Sequence, residues 1–202
     1  LGFEGSLTIV DSQKGVPVEK PPLSKGAIIH GGDENYSVPL LRPASWYDDN
    51  FIDLRSGVTV TSLDKEACVV CLSDNSSISY SSLVIATGAS PIELEITKTH
   101  PNSFTLRNLQ DVERINKAAM NFKSSLIIGG GYIGLEVAAS LNERGLDVTI
   151  VENQDRPLAN VASSIVAKKL VELHEEKGVE FRLGDAVISI DQADELYLAV
   201  LA

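Results

Sequence analysis

Two hydrophobic patterns follow one another along this chain. From residue 96 onward, short runs of branched apolar residues alternate with longer stretches of helical periodicity. Such runs are typical of buried strands, and the helical periodicity is typical of amphipathic helices. The pattern predicts helices over 109–121, 133–144 and 164–177, and strands over 125–128, 148–151, 179–182 and 186–190. This alternation indicates a parallel sheet built from strand-helix-strand units.

The first 95 residues are dominated by shorter runs of β-forming residues. A strand is predicted at 7–10, a loop leading into a short helix at 21–25, and a helix around Trp46 at 43–49. Turn-forming residues separate β-rich runs between 52 and 87, which predicts a small meander with strands over 58–63, 67–72, 78–80 and 83–86. We therefore divide the chain near residue 95.

Composition and charge exclude two classes of partner. The 202 residues are 44% hydrophobic and carry a formal net charge of -11. This charge disfavours nonspecific nucleic-acid binding, which depends on lysine and arginine contacts to phosphate. No apolar run approaches the roughly 18 residues of a membrane span, and the first residues lack a secretory-signal pattern. We expect a cytoplasmic protein that binds neither nucleic acid nor membrane.

The cysteines and histidines do not indicate a metal site. Cys68 and Cys71 are spaced as C-x-x-C, but one such pair supplies at most half a zinc site. Because residues three apart on a strand point to opposite faces, we predict two free strand cysteines. His30, His100 and His174 are scattered in the sequence, and no serine, cysteine or acidic residue stands at a spacing from them that would indicate a catalytic or metal-binding motif.

A glycine-rich turn follows the strand predicted at 125–128. Gly129, Gly131 and Gly134 form a G-x-G-x-x-G pattern that opens the next helix. Glu152 ends the following strand, 18 residues after Gly134. An acid at about this distance is typical of a dinucleotide-binding unit. In such a unit the first glycine permits the tight turn, the second lets a pyrophosphate approach the backbone, and the third lets the helix pack closely on the sheet.

The same unit predicts which coenzyme binds. The helix that begins near Tyr132 and Ile133 directs unpaired N–H groups and a positive dipole towards the phosphates. Glu152 is expected to accept hydrogen bonds from both hydroxyls of the adenosine ribose and to repel a 2'-phosphate. We therefore predict an NADH site formed by the glycine turn, Tyr132, Ile133 and Glu152.

The beginning of the chain repeats the end of this unit. Residues 1–11 resemble 144–152 with a short insertion, and this alignment places Asp11 opposite Glu152. The glycine turn of such a first unit would lie before residue 1. The sequence therefore predicts an α/β fold with two Rossmann-like dinucleotide-binding units, the first incomplete and carrying the small β-meander.

Together with the segment LVIATGASP at 83–91, two such units resemble the pyridine nucleotide-disulfide oxidoreductase superfamily. PPLSK at 21–25, LRPASWY at 41–47 and FTLR at 104–107 are similar to its ferredoxin and rubredoxin reductases. The resemblance implies a partial FAD-binding domain in residues 1–95, an NAD-binding domain in 96–202, and truncation at both ends. It also implies hydride transfer from NADH to FAD and electron release to a small iron-sulfur or rubredoxin-like protein.

The resemblance assigns roles to individual residues. Lys25 matches a lysine near the flavin and Glu136 a glutamate that approaches the same region, so we expect a catalytic ion pair. Thr87 and Gly88 match the end of the flavin-contacting strand. The superfamily's disulfide branch has a C-x4-C pair that this sequence lacks, so electrons are expected to pass directly to an outside acceptor.

Three positions depart from the family pattern. The ribose-binding acid of the first unit is Asp11 by the internal repeat, whereas counting back from Pro21 gives Gln13, and the sequence leaves both open. Lys20, assigned to the cofactor site, stands where an arginine commonly precedes the two prolines. Ile92 stands where an arginine often follows the Ala-Thr-Gly segment.

Two further functions are compatible with the sequence. One is a non-enzymatic module that binds NADH. The other is an oxidase, or a protein like apoptosis-inducing factor, from the same superfamily. Bound flavin would distinguish a reductase from the binding module, and acceptor assays would separate the members of the superfamily.

Overall fold

The structure, a computed structural model, describes residues 4–98, 100–193 and 196–201. It divides into two compact units. Residues up to Glu19 together with Pro39–Ala89 form the first unit, and Lys20–Val38 together with residues from Ser90 onward form the second. The assignment of residues 1–95 and 96–202 to FAD and NAD domains stays a prediction, although the compact units do not follow one boundary near residue 95.

Helices and strands alternate along much of the chain. In chain order the helices are α1 (Gly26–Ile29), α2 (Ala44–Asp49), α3 (Leu109–Ala119), α4 (Tyr132–Glu143) and α5 (Ser164–Glu175). The strands are β1 (Leu7–Asp11), β2 (Ile52–Ser56), β3 (Val60–Asp64), β4 (Val69–Leu72), β5 (Ser77–Ser79), β6 (Ser124–Ile128), β7 (Asp147–Glu152), β8 (Glu180–Leu183), β9 (Val187–Ala193) and β10 (Leu196–Leu201). Short 3-10 helices lie at Pro21–Ser24 and Glu95–Thr97.

The first unit contains two small sheets. β1 and β2 pair in parallel, with Asp11 opposite Ser56, while β3, β4 and β5 form an antiparallel meander. The meander is confirmed for the strands predicted at 58–63, 67–72 and 78–80, whereas β2 was not predicted as a strand and pairs with β1. The strand predicted at 83–86 was wrong. These residues are in no ladder, and Val84 and Ile85 are largely exposed, so β-forming composition alone did not supply a pairing partner.

The cysteines are free, as predicted, but only one lies in a strand. Cys71 is in β4, whereas Cys68 occupies the turn before it with φ of 53°. Both side chains are exposed. Within the described residues, no group of three or more histidine, cysteine or acidic side chains is arranged to hold a metal ion.

The second unit contains the predicted parallel sheet. β6, β7 and β8 pair in that order, with β7 in the centre and Ile150 between Ile127 and Phe181. This confirms the alternation of strands and helices. β9 and β10 form a separate antiparallel hairpin, of which only β9 was predicted. Among the described residues, none of the helices combines the length and apolar character needed to cross a bilayer.

A single hydrophobic core holds the second unit together. β7 contributes Val148 and Ile150, and α4 contributes Leu135, Ala138 and Leu141, which recur at the three-residue spacing of one helix face. The segment Lys20–Val38 adds Leu23, Ala27 and Ile28, all at most 4% exposed. This burial explains why the segment packs with the second unit although it lies early in the sequence.

Side chains fix the ends of the surrounding helices. Asn108 and Asp111 form a reciprocal capping box at the start of α3, with bonds of 3.0 and 3.1 Å. In the last turn of α5, the Nε2 atom of His174 lies 3.1 Å from the carbonyl oxygen of Leu135 in α4. His174 therefore connects two helices as a packing residue.

Replacing Ile150 with alanine should lower the free energy of unfolding by about 2–5 kcal/mol, because it empties a fully buried position at the centre of the sheet. Ile165→Ala is the matched control, since Ile165 is 80% exposed and such substitutions change stability by about 0.5 kcal/mol or less. Chemical denaturation followed by circular dichroism measures both. Equal losses in the two variants would contradict this core.

Candidate functional site

The glycine turn joins β6 to α4 through one close contact. Gly129 has φ of 106°, which favours glycine, and its N–H donates to the carbonyl of Val151 at 2.8 Å. A Cβ atom on Gly134 would collide with the carbonyl oxygen of Gly129. The third glycine thus has the packing role that the sequence predicted for it.

The second glycine borders open space. A Cβ atom on Gly131 would meet no other atom within 4 Å. The first backbone bond of α4 runs from the N–H of Leu135 to the carbonyl of Gly131 at 3.0 Å, so the N–H groups of Tyr132, Ile133 and Gly134 lie outside the helical ladder. Together these features form a backbone cradle with donors and room for an anionic group.

Glu152 is anchored to the glycine turn. Its Oε2 atom accepts a 2.7 Å hydrogen bond from the N–H of Gly130, and its Oε1 atom accepts one of 2.9 Å from the N–H of Gln154. Each carboxylate oxygen has a second lone pair for a ligand hydroxyl. The fixed carboxylate therefore stands beside the cradle, where the sequence placed a ribose-binding acid.

A loop that sequence reasoning missed supports this turn. The N–H of Leu158 donates to the carbonyl of Gly130 at 3.0 Å, and Leu158 is buried with φ of 53°. Arg156 holds the loop by donating to the carbonyl oxygens of Ala159 at 2.8 Å and Ala162 at 3.0 Å. The Gly130 peptide is thus held on both sides, by Glu152 at its N–H and by Leu158 at its carbonyl.

The predicted contact between Lys25 and Glu136 is confirmed, whereas the catalytic role of the pair stays a prediction. The Nζ atom of Lys25 lies 2.7 Å from the Oε2 atom of Glu136, with side chains 48% and 34% exposed. Burial raises the pKa of Glu136, but hydrogen bonds from Lys25 and Ser24 and the Lys25 charge together bring this pKa below its ordinary 4.5. Glu136 is therefore ionised at neutral pH, and the pair is charged.

The ion pair borders a cleft of about 290 Å³ within the second unit. Leu23, Leu106 and Ile133 provide apolar walls, while Lys20 and Arg107 add positive charge. Leu106 and Arg107 were not predicted as site residues. Their motif FTLR indicated only a family resemblance, because the sequence alone does not show that the motif lies beside the cleft.

Asp11 and Gln13 are connected to each other in the first unit. The N–H of Gln13 donates to the Oδ1 atom of Asp11 at 2.9 Å. This bond has the same spacing as the one from the N–H of Gln154 to the carboxylate of Glu152. Asp11 thus corresponds to Glu152, and Gln13 corresponds to Gln154.

The backbone hydrogen bonds that follow the end of β1 match those that follow the end of β7. In the first unit, the N–H of Gly57 donates to the carbonyl of Gln13 at 2.8 Å and that of Val58 to the carbonyl of Asp11 at 3.2 Å. In the second, the N–H of Gly184 donates to the carbonyl of Gln154 at 2.8 Å, and that of Asp185 to the carbonyl of Glu152 at 3.3 Å.

These matched bonds favour Asp11 over Gln13 as the counterpart of the ribose-binding acid. The part of the repeat that falls on residues 1–3 lies outside the described residues. Thr87 and Gly88 lie in irregular chain of the first unit, and Gly88 has φ of 71°. The cofactor-binding roles of these residues stay predictions.

Comparison with known proteins identifies similar chains. The profile of the pyridine nucleotide-disulphide oxidoreductase family matches residues 2–202. Rhodocoxin reductase of Rhodococcus erythropolis is 40% identical over 194 residues, which are 96% of this chain and 45% of that protein. The chain thus spans about half the length of this curated relative.

Two solved structures are similar to this chain. A ferredoxin reductase from Rhodopseudomonas palustris superposes with a TM-score of 0.92 at 30% identity, covering 100% of this chain and 50% of that one. A chain in the crystal structure of the covalent putidaredoxin reductase–putidaredoxin complex gives a TM-score of 0.86 at 33% identity, covering 96% of this chain and 47% of that one.

Gly131 and Gly134 should differ in their tolerance of a side chain. Gly134→Ala should lower the free energy of unfolding by roughly 1–3 kcal/mol, because its methyl group collides with backbone that cannot rotate away. Gly131→Ala is the matched control and should cost less than about 1 kcal/mol, since its methyl group enters open space. Urea denaturation of both variants checks this. A larger loss at Gly131 would refute the assignment of the two roles.

Proposed function

This chain belongs to the pyridine nucleotide-disulphide oxidoreductase family, and we propose that it forms the NADH site and part of the FAD site of a reductase for a small iron-sulfur protein. One observation carries the proposal: α4 bears both the glycine turn at its start and Glu136 of the ion pair. Glu136 lies five positions after Gly131, about 7.5 Å along a helix axis. A dinucleotide bound at the turn would therefore extend within reach of the charged pair.

The cradle fits the phosphates and the adenosine ribose of NADH. The open space at Gly131 admits a pyrophosphate, and the helix N-terminus favours its negative charge. Glu152 is held in place to accept the two ribose hydroxyls, and its charge would repel a 2'-phosphate. These features support NADH over NADPH.

The cleft fits the reacting rings and the charge that they develop. FAD, when bound, supplies acceptance of a hydride and release of single electrons. Leu23, Leu106 and Ile133 would exclude water from the rings. The Lys25 ammonium, held by Glu136, would stabilise negative charge that develops beside it. In the first unit, Asp11 is the proposed acceptor for the ribose of FAD.

The relatives support the class of electron acceptor. One similar structure is a reductase linked covalently to putidaredoxin, and the curated relative is named for rhodocoxin. We therefore propose a small ferredoxin-like partner, with a rubredoxin-like protein as the alternative acceptor. The proposed location is the cytoplasm.

The test is anaerobic reduction of bound flavin in the protein that carries this sequence. The purified protein should absorb near 450 nm, a property of flavins, and NADH should bleach that band. Lys25→Met should slow the bleaching by about tenfold, equivalent to about 1.4 kcal/mol of lost charge stabilisation. Reduction of a [2Fe–2S] ferredoxin should follow, with rubredoxin compared in parallel. A colourless protein that still binds NADH would support the non-enzymatic module instead.

Replacing Glu152 with arginine should reverse the preference between coenzymes. The change removes an acceptor for the ribose hydroxyls and adds a partner for the 2'-phosphate, so the ratio of kcat/KM for NADPH to that for NADH should rise by roughly tenfold or more. Glu180→Arg is the matched control, since it makes the same charge change at an exposed position on β8. A ratio that stays constant in Glu152→Arg, or rises equally in the control, would remove Glu152 from the ribose site.

A further inference from the structure

A buried hydroxyl contacts the ion pair at the same oxygen as the lysine. Ser24 is 5% exposed, and its Oγ atom donates a short hydrogen bond to the Oε2 atom of Glu136. The same hydroxyl lies 3.4 Å from the carbonyl oxygen of Pro21, a longer contact to an uncharged acceptor. Because a hydroxyl has a single proton and charged acceptors form the stronger bonds, Ser24 donates to Glu136.

The backbone of Ser24 is fixed independently of that contact. Ser140, which is 2% exposed, donates from its Oγ atom to the carbonyl of Ser24 at 2.8 Å. Ser140 lies one turn after Glu136 on α4 and is also 2.9 Å from the carbonyl of Glu136. Ser24 is therefore anchored on the helix that carries its carboxylate partner.

The ion pair alone does not fix the carboxylate. Both partners are long side chains, with Lys25 about half exposed and Glu136 about one-third exposed, and ion pairs in contact with solvent gain little after screening and the loss of side-chain entropy. Ser24 has one rotatable side-chain bond and little exposure, so its hydroxyl loses little freedom in binding Glu136. The serine thus supplies the fixed point that the lysine lacks.

Holding the carboxylate also sets the position of the lysine. The Nζ atom of Lys25 contacts the Oε2 atom of Glu136 at 2.7 Å and the carbonyl oxygen of Pro21 at 3.3 Å. An ammonium group has three N–H donors, so these two contacts leave a third for a ligand in the cleft. If the carboxylate changed rotamer, the ammonium would lose its closer partner.

We propose that Ser24 is a positioning residue, whose hydroxyl fixes the Glu136 carboxylate and thereby holds the Lys25 ammonium at the cleft. Its effect on catalysis rests on the proposed function, whereas its effect on Glu136 concerns this chain alone. Ser24 also helps to keep Glu136 ionised. Burial raises the pKa of that carboxyl, and the Ser24 hydroxyl is one of the groups that lower it.

The direction of the pH effect follows from this assignment. Because the pKa of Glu136 in the folded protein is below 4.5, its ionised contacts stabilise the fold above that pH. The stabilisation is lost as the pH falls through the lowered pKa. Without the Ser24 hydroxyl the pKa should rise, so this loss should be smaller and should occur at higher pH.

The experiment compares Ser24→Ala with Ser140→Ala, which removes an equally buried hydroxyl that does not touch the carboxylate. NMR titration of the Glu136 side-chain carboxyl measures its pKa. We expect the pKa to rise most in Ser24→Ala, to rise less in Ser140→Ala, which loosens the backbone of Ser24 but keeps its hydroxyl, and to return towards the parent value in Ser24→Thr, which restores a hydroxyl. An unchanged pKa in Ser24→Ala, or equal rises in both alanine variants, would overturn the proposal.

Flavin reduction provides the second readout. In the flavin-loaded protein, Ser24→Ala should lower the limiting rate of reduction by NADH about fivefold, less than loss of the lysine itself. The Kd for NADH should change less than twofold, since the glycine turn is untouched. In a Lys25→Met background, Ser24→Ala should have no further effect on the rate. An unchanged rate, or an undiminished effect without the lysine, would overturn the positioning role.

These readouts separate the two proposals. If NADH does not reduce flavin in the parent protein, the proposed function fails, and the titration still decides whether Ser24 fixes Glu136. If NADH reduces the flavin and the titration is the same in parent and Ser24→Ala, the proposed function stands and the role of Ser24 is refuted. Should the threonine variant fail to fold, the comparison of the two alanine variants remains decisive.

Discussion

The close contact between Gly134 and the carbonyl of Gly129 is the constraint on which the candidate site depends. Without a side chain at Gly134, α4 begins directly against the turn that leaves β6. Its first N–H groups then face the open space at Gly131, and the Gly130 peptide comes within reach of Glu152. Because α4 is a continuous helix, the position of its first turn also sets the position of Glu136. One contact therefore positions both the dinucleotide cradle and the carboxylate of the ion pair.

The parts of this arrangement that the sequence predicted are those encoded over short distances. Glycine spacing, a preceding apolar strand and an acid after the next strand specify one local unit, and the structure has that geometry at Gly129, Gly134 and Glu152. The repeat of this unit was also readable, although choosing between Asp11 and Gln13 required backbone bonds that no sequence pattern shows. The ion pair was predicted by family resemblance, not by spacing.

Long-range contacts account for what was missed. Ser24 and Arg156 are ordinary residues in sequence, and their partners become apparent only after folding. Residues 83–86 show the opposite error, a predicted element that the structure lacks. Their β-forming composition predicted a strand, but they pair with no other strand among the described residues. β2 was not predicted, and its parallel pairing with β1 joins residues about 45 positions apart, a contact that strand composition does not identify.

The position of Lys25 depends on burial more than on charge. Its neighbours Leu23 and Ile28 are 3% and 0% exposed and belong to the core beneath α4, whereas the lysine itself remains about half exposed. Burying such apolar side chains contributes about 1.5–3 kcal/mol each, compared with roughly 0–1 kcal/mol for an exposed ion pair. Hydrophobic packing therefore brings the Lys20–Val38 segment to the helix, and the polar contacts of Ser24 and Glu136 only refine where the ammonium points. The geometry of the charged pair in this unit therefore depends on the packing of the core.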